Sequence, residues 1–146
     1  LKDARRWIDK AIRTADRNGL RITGIDARLA RITIGRMNCL SVRTLSAQLR
    51  ALTPLVQATG DHLLGIRLQS EAAFINHLLG RSGREHLTRM EALVDLPSMA
   101  EDSPIVRLIR KVRRAVEAFE AGQALVAGQR EGDLPVSGPS NDRAEK

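Results

Sequence analysis

The sequence predicts an all-α protein, a multi-helix bundle of about five to six helices with a long C-terminal heptad-like helix and a disordered tail. Three features carry that expectation. Ile105, Ile109, Val112, Val116, Phe119, Gln123 and Val126 recur at spacings of 4, 3, 4, 3, 4 and 3, the mean of 3.5 expected of a coiled-coil or bundle seam. Near the N-terminus, Arg6, Lys10, Arg13 and Arg17 stack at i, i+4, i+7 and i+11 on one helical stripe, with Ala4, Ile8, Ala11, Ile12 and Ala15 roughly opposite. Gly and Pro then cut the chain into lengths suited to helices.

The first helix runs from about Lys2 to Arg17 and closes at Asn18-Gly19, a pair suited to the left-handed C-terminal position. Residues 20–38 are ambiguous, because Leu20/Ile22 and Ile32/Ile34 alternate as strands do while Ile25, Leu29 and Ile32 have helical spacing. A helix from about Ile25 to Arg36 is the favoured reading. Ser41 can cap the next helix, whose stripe Leu45, Leu49, Leu52 is expected to stop at Thr53-Pro54, with Thr53 capping and Pro54 opening a new first turn. After Gly60, a helix from Asp61 to Leu79 is expected to bury Leu63, Ile66, Phe74, Ile75 and Leu78. Ser82 and Glu85 form a capping-box pattern ahead of Leu87, Met90, Leu93 and Val94, and Pro97 limits that short helix. Ser103-Pro104 starts the last one.

Length and composition fit one helical domain over 1–127, basic in 1–50, with 128–146 read as a disordered tail because Gly, Pro, Ser and charge replace apolar residues there. Aromatic residues are scarce, so the core must be built from Leu, Ile, Val and Ala. Cys39 is the one cysteine, which precludes an intramolecular disulfide and suits a reducing compartment. No apolar run approaches the roughly 18 residues of a membrane span, and a cytoplasmic location is expected. Residue 1 is Leu and not Met, which is compatible with a fragment of a longer chain.

Charge is the main functional signal. The chain carries 24 Lys+Arg against 17 Asp+Glu, a net +7. Residues 1–50 hold 12 basic against 4 acidic side chains, 12 − 4 = +8, so the remainder is slightly acidic. Arginine supplies 20 of the 24 basic residues, an excess that GC-rich codons alone can generate; segregation of the charge into one third of the chain is harder to assign to codon usage. The stripe from Arg6 to Arg17 spans about 16 Å, several phosphate spacings along one strand. Arg36, Arg43 and Arg50 recur every seven residues as a second strip, with Arg21, Arg28 and Arg31 between the two. The bland alternative is a solvated face in which Asp9 and Arg13 pair at i, i+4.

No reading motif accompanies the charge. A helix-turn-helix drawn through Val42 to Thr59 offers the groove a helix without a basic residue, Leu55-Val56-Gln57-Ala58. A ribbon-helix-helix would need Arg31-Ile32-Thr33-Ile34 as a dimer strand, followed by a helix with Pro54 and Gly60 awkwardly placed. Base stacking on single-stranded RNA usually uses aromatic platforms, and the basic third holds Trp7 alone. His62, His77 and His86 lack metal-pair spacing, Gly80-Arg81-Ser82-Gly83 lacks the second glycine offset of a nucleophile elbow, and Ile66 stands where a phosphate-loop lysine would follow Gly65.

The expectation is therefore a non-enzymatic protein that binds nucleic acid, DNA before structured RNA, through phosphates, without cofactor or metal. Arg6, Lys10, Arg13 and Arg17 are its first candidate contacts, with Arg31, Arg36, Arg43 and Arg50 beside them. Ile105, Ile109, Val112, Val116 and Phe119 are the candidate self-association seam, giving a homo-oligomer. In a second reading the same 105–126 seam makes the protein an interaction adaptor or chaperone-like bundle for a helical or acidic partner, with Arg107, Arg110, Lys111 and Arg114 flanking it and Arg113 paired to Glu117. Membrane-surface docking by the first helix is disfavoured by an apolar face of alanines and two isoleucines.

Overall fold

The computed structural model describes residues 2–132, which form six α-helices and one 3-10 turn, with no strand among them. The elements are α1 (Lys2–Arg17), α2 (Arg21–Met37), α3 (Val42–Thr59), α4 (His62–Leu78), α5 (Arg84–Ala92), the 3-10 turn Leu96–Ser98, and α6 (Pro104–Gly132). No described helix is long and apolar enough to cross a membrane.

α4 is the central helix. One side of it, through Leu64, Leu68 and Ile75, closes a core with Ile25, Leu29 and Ile32 of α2 and Leu45, Leu52 and Val56 of α3. The other, through Ile66 and Ala73, joins Leu87 and Met90 of α5 and Ile109, Val112 and Val116 of α6. A helix enclosed on two sides shows no single apolar stripe. That explains why the expected face was misplaced: Leu63 and Leu78 are exposed, whereas Leu64 and Leu68 are buried. α1 packs on α2 by burying Ile12 and Ala15.

Several expected boundaries move for identifiable reasons. Residues 21–37 are one helix, so the helical spacing of Ile25, Leu29 and Ile32 prevails over the local alternation, and Arg31–Ile34 is no strand for a ribbon-helix-helix. α3 runs through Pro54 without a new start. Leu52 and Val56, one turn apart across the proline, are both 3% exposed, and their burial outweighs the backbone hydrogen bond that proline cannot donate. Thr53 hydrogen-bonds back to the Leu49 carbonyl instead of capping. At α5 the N-cap is Gly83, not Ser82; a Cβ at 83 would lie 3.0 Å from the Ala73 Cβ and 3.1 Å from its Cα, a close approach of α4 that favours glycine there. Ser82 Oγ accepts from the Arg84 N–H at 3.2 Å.

Asp61 caps α4 as its side chain accepts from the Leu64 N–H at 3.0 Å. The turn after α2 is closed by Cys39 at φ 55°, a left-handed position normally taken by glycine. The last helix begins at Pro104 and continues through residues 128–132, so the helical part extends past the expected limit at 127. Residues 133–146, the rest of the expected tail, lie outside the described residues.

Candidate nucleic-acid interface

The arrangement of carboxylates shapes the basic face of α1. Asp16 accepts both guanidinium nitrogens of Arg28 on α2, at 3.0 and 2.7 Å, and that hydrogen bonding holds its carboxyl below the usual range. Asp9 faces Arg31 of α2 at 3.8 Å and not Arg13, so the i, i+4 pairing of the bland alternative is absent. Asp26 pairs with Arg67 of α4. Asp9, Asp16 and Asp26 thus each pair with an arginine of a neighbouring helix while staying about half exposed. Asp3, the fourth acidic residue of the first fifty, stays on the outer surface of α1 among the cations.

On that outer surface Arg5, Arg6, Lys10, Arg13 and Arg17 are all exposed, and none has an ion-pair partner among the described residues. Arg6, Lys10 and Arg13 share a shallow hollow of about 450 Å³ with Asp3 and Trp7. Trp7 is 67% exposed, and the Lys10 ammonium lies 5.3 Å from its ring centroid, within cation–π range. The structure sets Trp7 among the cations, where a flat apolar ring can stack on a sugar or a base. Meanwhile Ile12 and Ala15, the strongest part of the apolar face, are buried on α2 and unavailable to a lipid surface.

The second strip divides. Arg36 is drawn inward: its Nε donates to Glu71 Oε2 at 2.8 Å, its Nη2 to Oε1 at 3.2 Å, and its guanidinium lies 4.5 Å from the Phe74 ring centroid. Its side chain is 19% exposed, so Arg36 is held by the fold and is not part of an open basic strip. Arg31 likewise faces Asp9, and its Nε is buried without a hydrogen-bond partner. Arg43 and Arg50 are exposed and unpaired among the described residues, on α3, which packs on α2 and α4. α2 lies between them and the α1 stripe. Arg28 and Arg31, expected to link the two strips, instead join α2 to α1 through Asp16 and Asp9.

The seam expected for self-association is used within the chain. Ile109, Val112 and Val116 are buried against α4 and α5, with Ile105 and Phe119 half-buried, so the three central side chains have no surface to offer a partner. Arg113 pairs with Glu91 of α5 at 2.6 Å and not with Glu117, locking α6 to α5. Of the flanking basic residues, Arg110 faces Glu101 at 3.9 Å and the Lys111 ammonium lies 5.7 Å from the Phe74 ring.

Two of the three histidines make contacts within the fold. The His86 Nδ1 lies 2.8 Å from Gln69 Oε1, with its pKa lowered chiefly by burial, and His77 meets Phe119 edge-on at 5.5 Å. No group of three or more His, Cys, Asp or Glu suited to a metal occurs among the described residues. Neither a family model, a curated protein nor a solved structure matches this chain.

Proposed function

We propose that this chain is a non-enzymatic nucleic-acid-binding protein that holds duplex DNA through its phosphates, with the outer face of α1 as the contact surface. The observation that carries the reading is the sorting of charge on that helix: Asp9 and Asp16 are engaged by α2, while Arg6, Lys10, Arg13 and Arg17 stand exposed without partners among the described residues. Such a row meets a phosphate backbone at low desolvation cost and releases condensed counterions as it docks. Arg43 and Arg50 add long-range attraction, and Trp7 adds a contact that ammonium and guanidinium groups cannot supply.

The stripe belongs to no recognised base-reading motif, so affinity is expected to vary little with sequence and strongly with salt. Titration of a labelled duplex at several salt concentrations tests the reading. Four neutralised phosphates correspond to a slope of log K against log salt of about −3.6. Arg6→Gln, Lys10→Gln and Arg13→Gln together should bring it to about −0.9. Absence of binding at low salt, or a slope unchanged in the triple variant, would overturn it. For the adaptor reading, the burial of Ile109, Val112 and Val116 leaves only the exposed end of the 105–126 seam, at Gln123 and Val126, as a surface for a partner.

A further inference from the structure

An open trough runs between α3 and α4, with α5 as one wall, away from the α1 stripe. Two helical stripes build it. Ser46, Leu49, Thr53, Val56 and Gly60 follow one another at 3, 4, 3 and 4 residues; Gly65, Leu68, Ala72, Ile75 and Leu79 repeat the same series on α4. The two helices are joined by the short Gly60-Asp61 turn, so the stripes run antiparallel and face one channel. Two cavities, about 300 and 400 Å³, lie along it and share Leu68, Gln69 and Arg89 as lining, which makes them halves of one depression.

The halves differ in chemistry. Arg50, Arg81 and Arg89 line the first, and no carboxylate does. Arg50 and Arg81 are exposed and have neither an ion pair nor a side-chain hydrogen bond among the described residues, while Arg89 is shared with Glu85. The second half is walled by Val56, Gly65, Leu68, Ala92 and Leu93. Absence of a side chain at Gly65 keeps it open, since a Cβ there would come within 3.2 Å of Leu93 Cδ1. Asp61 and His62 stand beside this half, and the Asp61 carboxylate is engaged by the start of α4.

We propose that this trough binds a small anionic amphiphile, with a phosphate head held by Arg50, Arg81 and Arg89 and an apolar tail lying over Leu68 toward Gly65 and Leu93. Guanidinium forks match phosphate oxygens in pairs. The tail end removes apolar surface from water without displacing any ion pair. A nucleic-acid backbone would engage the arginines and leave the aliphatic half empty. The two-part lining therefore favours a ligand with two chemically distinct ends. The site shares Arg50 with the DNA-binding reading and takes no residue from the α1 stripe.

Calorimetric titration with octyl phosphate below its micellar concentration, beside inorganic phosphate and octyl glucoside, tests the proposal. Octyl phosphate should saturate the protein and bind at least about tenfold more tightly than either control. Arg50→Gln with Arg81→Gln should weaken it about tenfold or more, and neither change removes a structural contact. Ala92→Glu, at an exposed position of the aliphatic half, should weaken octyl phosphate and leave inorganic phosphate unaffected. The triple α1 variant should leave both unchanged. Equal affinity for inorganic phosphate, no saturable binding, indifference to the Arg50/Arg81 change, or sensitivity to the α1 change would each overturn the proposal. A dimer that Ala92→Glu dissociates would assign the trough to a second copy and overturn it as well.

Discussion

Glu71 shows how one residue decides which charges face outward. It is 6% exposed, accepts the Thr33 hydroxyl at 2.7 Å and holds Arg36 by two hydrogen bonds. Removal of one partner from a buried pair leaves the other charge without compensation, so Glu71→Ala should cost about 3 kcal/mol in urea denaturation. Unchanged stability would show that Arg36 reaches solvent unaided. Cys39 carries a left-handed backbone with a side chain, and Cys39→Gly should stabilise by about 1 kcal/mol after glycine's entropy cost; a lower melting temperature would contradict this. His86 adds a pH dependence. Its folded pKa lies below the ordinary 6.5, so the unfolded chain takes up the proton first. Its contribution to stability is complete above about pH 6.5 and falls as pH drops below that value, in a window above the range where carboxylates such as Asp16 titrate. His86→Gln should flatten stability between about pH 7 and 5. An identical profile in the variant would contradict that assignment.

Among the elements, the N-terminal helix and the start of the last one were legible because each has a conventional signal, Asn18-Gly19 for the first end and Ser103-Pro104 for the second start. α3 was not. Thr53-Pro54 is a strong local boundary signal, but Leu52 and Val56 are buried on either side of it and keep the helix continuous. Pro54 is exposed and sits in the helix interior, so Pro54→Ala restores a backbone donor. Stability should rise by about 2 kcal/mol, less than the roughly 3 kcal/mol propensity difference because the unfolded chain also gains freedom. A fall in thermal midpoint would show instead that α3 depends on a bend there. The α6 seam was legible as a periodicity, yet its partner was not: spacing alone does not distinguish a neighbouring helix from a second subunit, and here Leu87, Met90 and Ile66 fill that place. The trough was hidden for a related reason, since Leu49 and Leu68 come to share a channel only when α3 and α4 fold antiparallel.

At the scale of the molecule, the order of packing from α1 through α2 to the central α4 leaves α1 at the periphery, with one face committed and one face free. The +8 of the first fifty residues is thereby split. Arg28, Arg31 and Arg36 hold helices together, while the α1 stripe and the exposed Arg43 and Arg50 form the outward field. The stripe was visible in the sequence as a spacing; its lack of acidic partners was not, because Asp9 and Asp16 find theirs twelve or more residues away. Trp7, the sole tryptophan, stands in that stripe and reports on it by its own fluorescence. The most direct measurement is therefore a Trp7 fluorescence titration with duplex DNA across a salt series. A saturable change whose log K falls with log salt at about −3.6, and whose slope collapses in the Arg6/Lys10/Arg13 variant, is the predicted result. An unresponsive Trp7 with no DNA binding at low salt would contradict it.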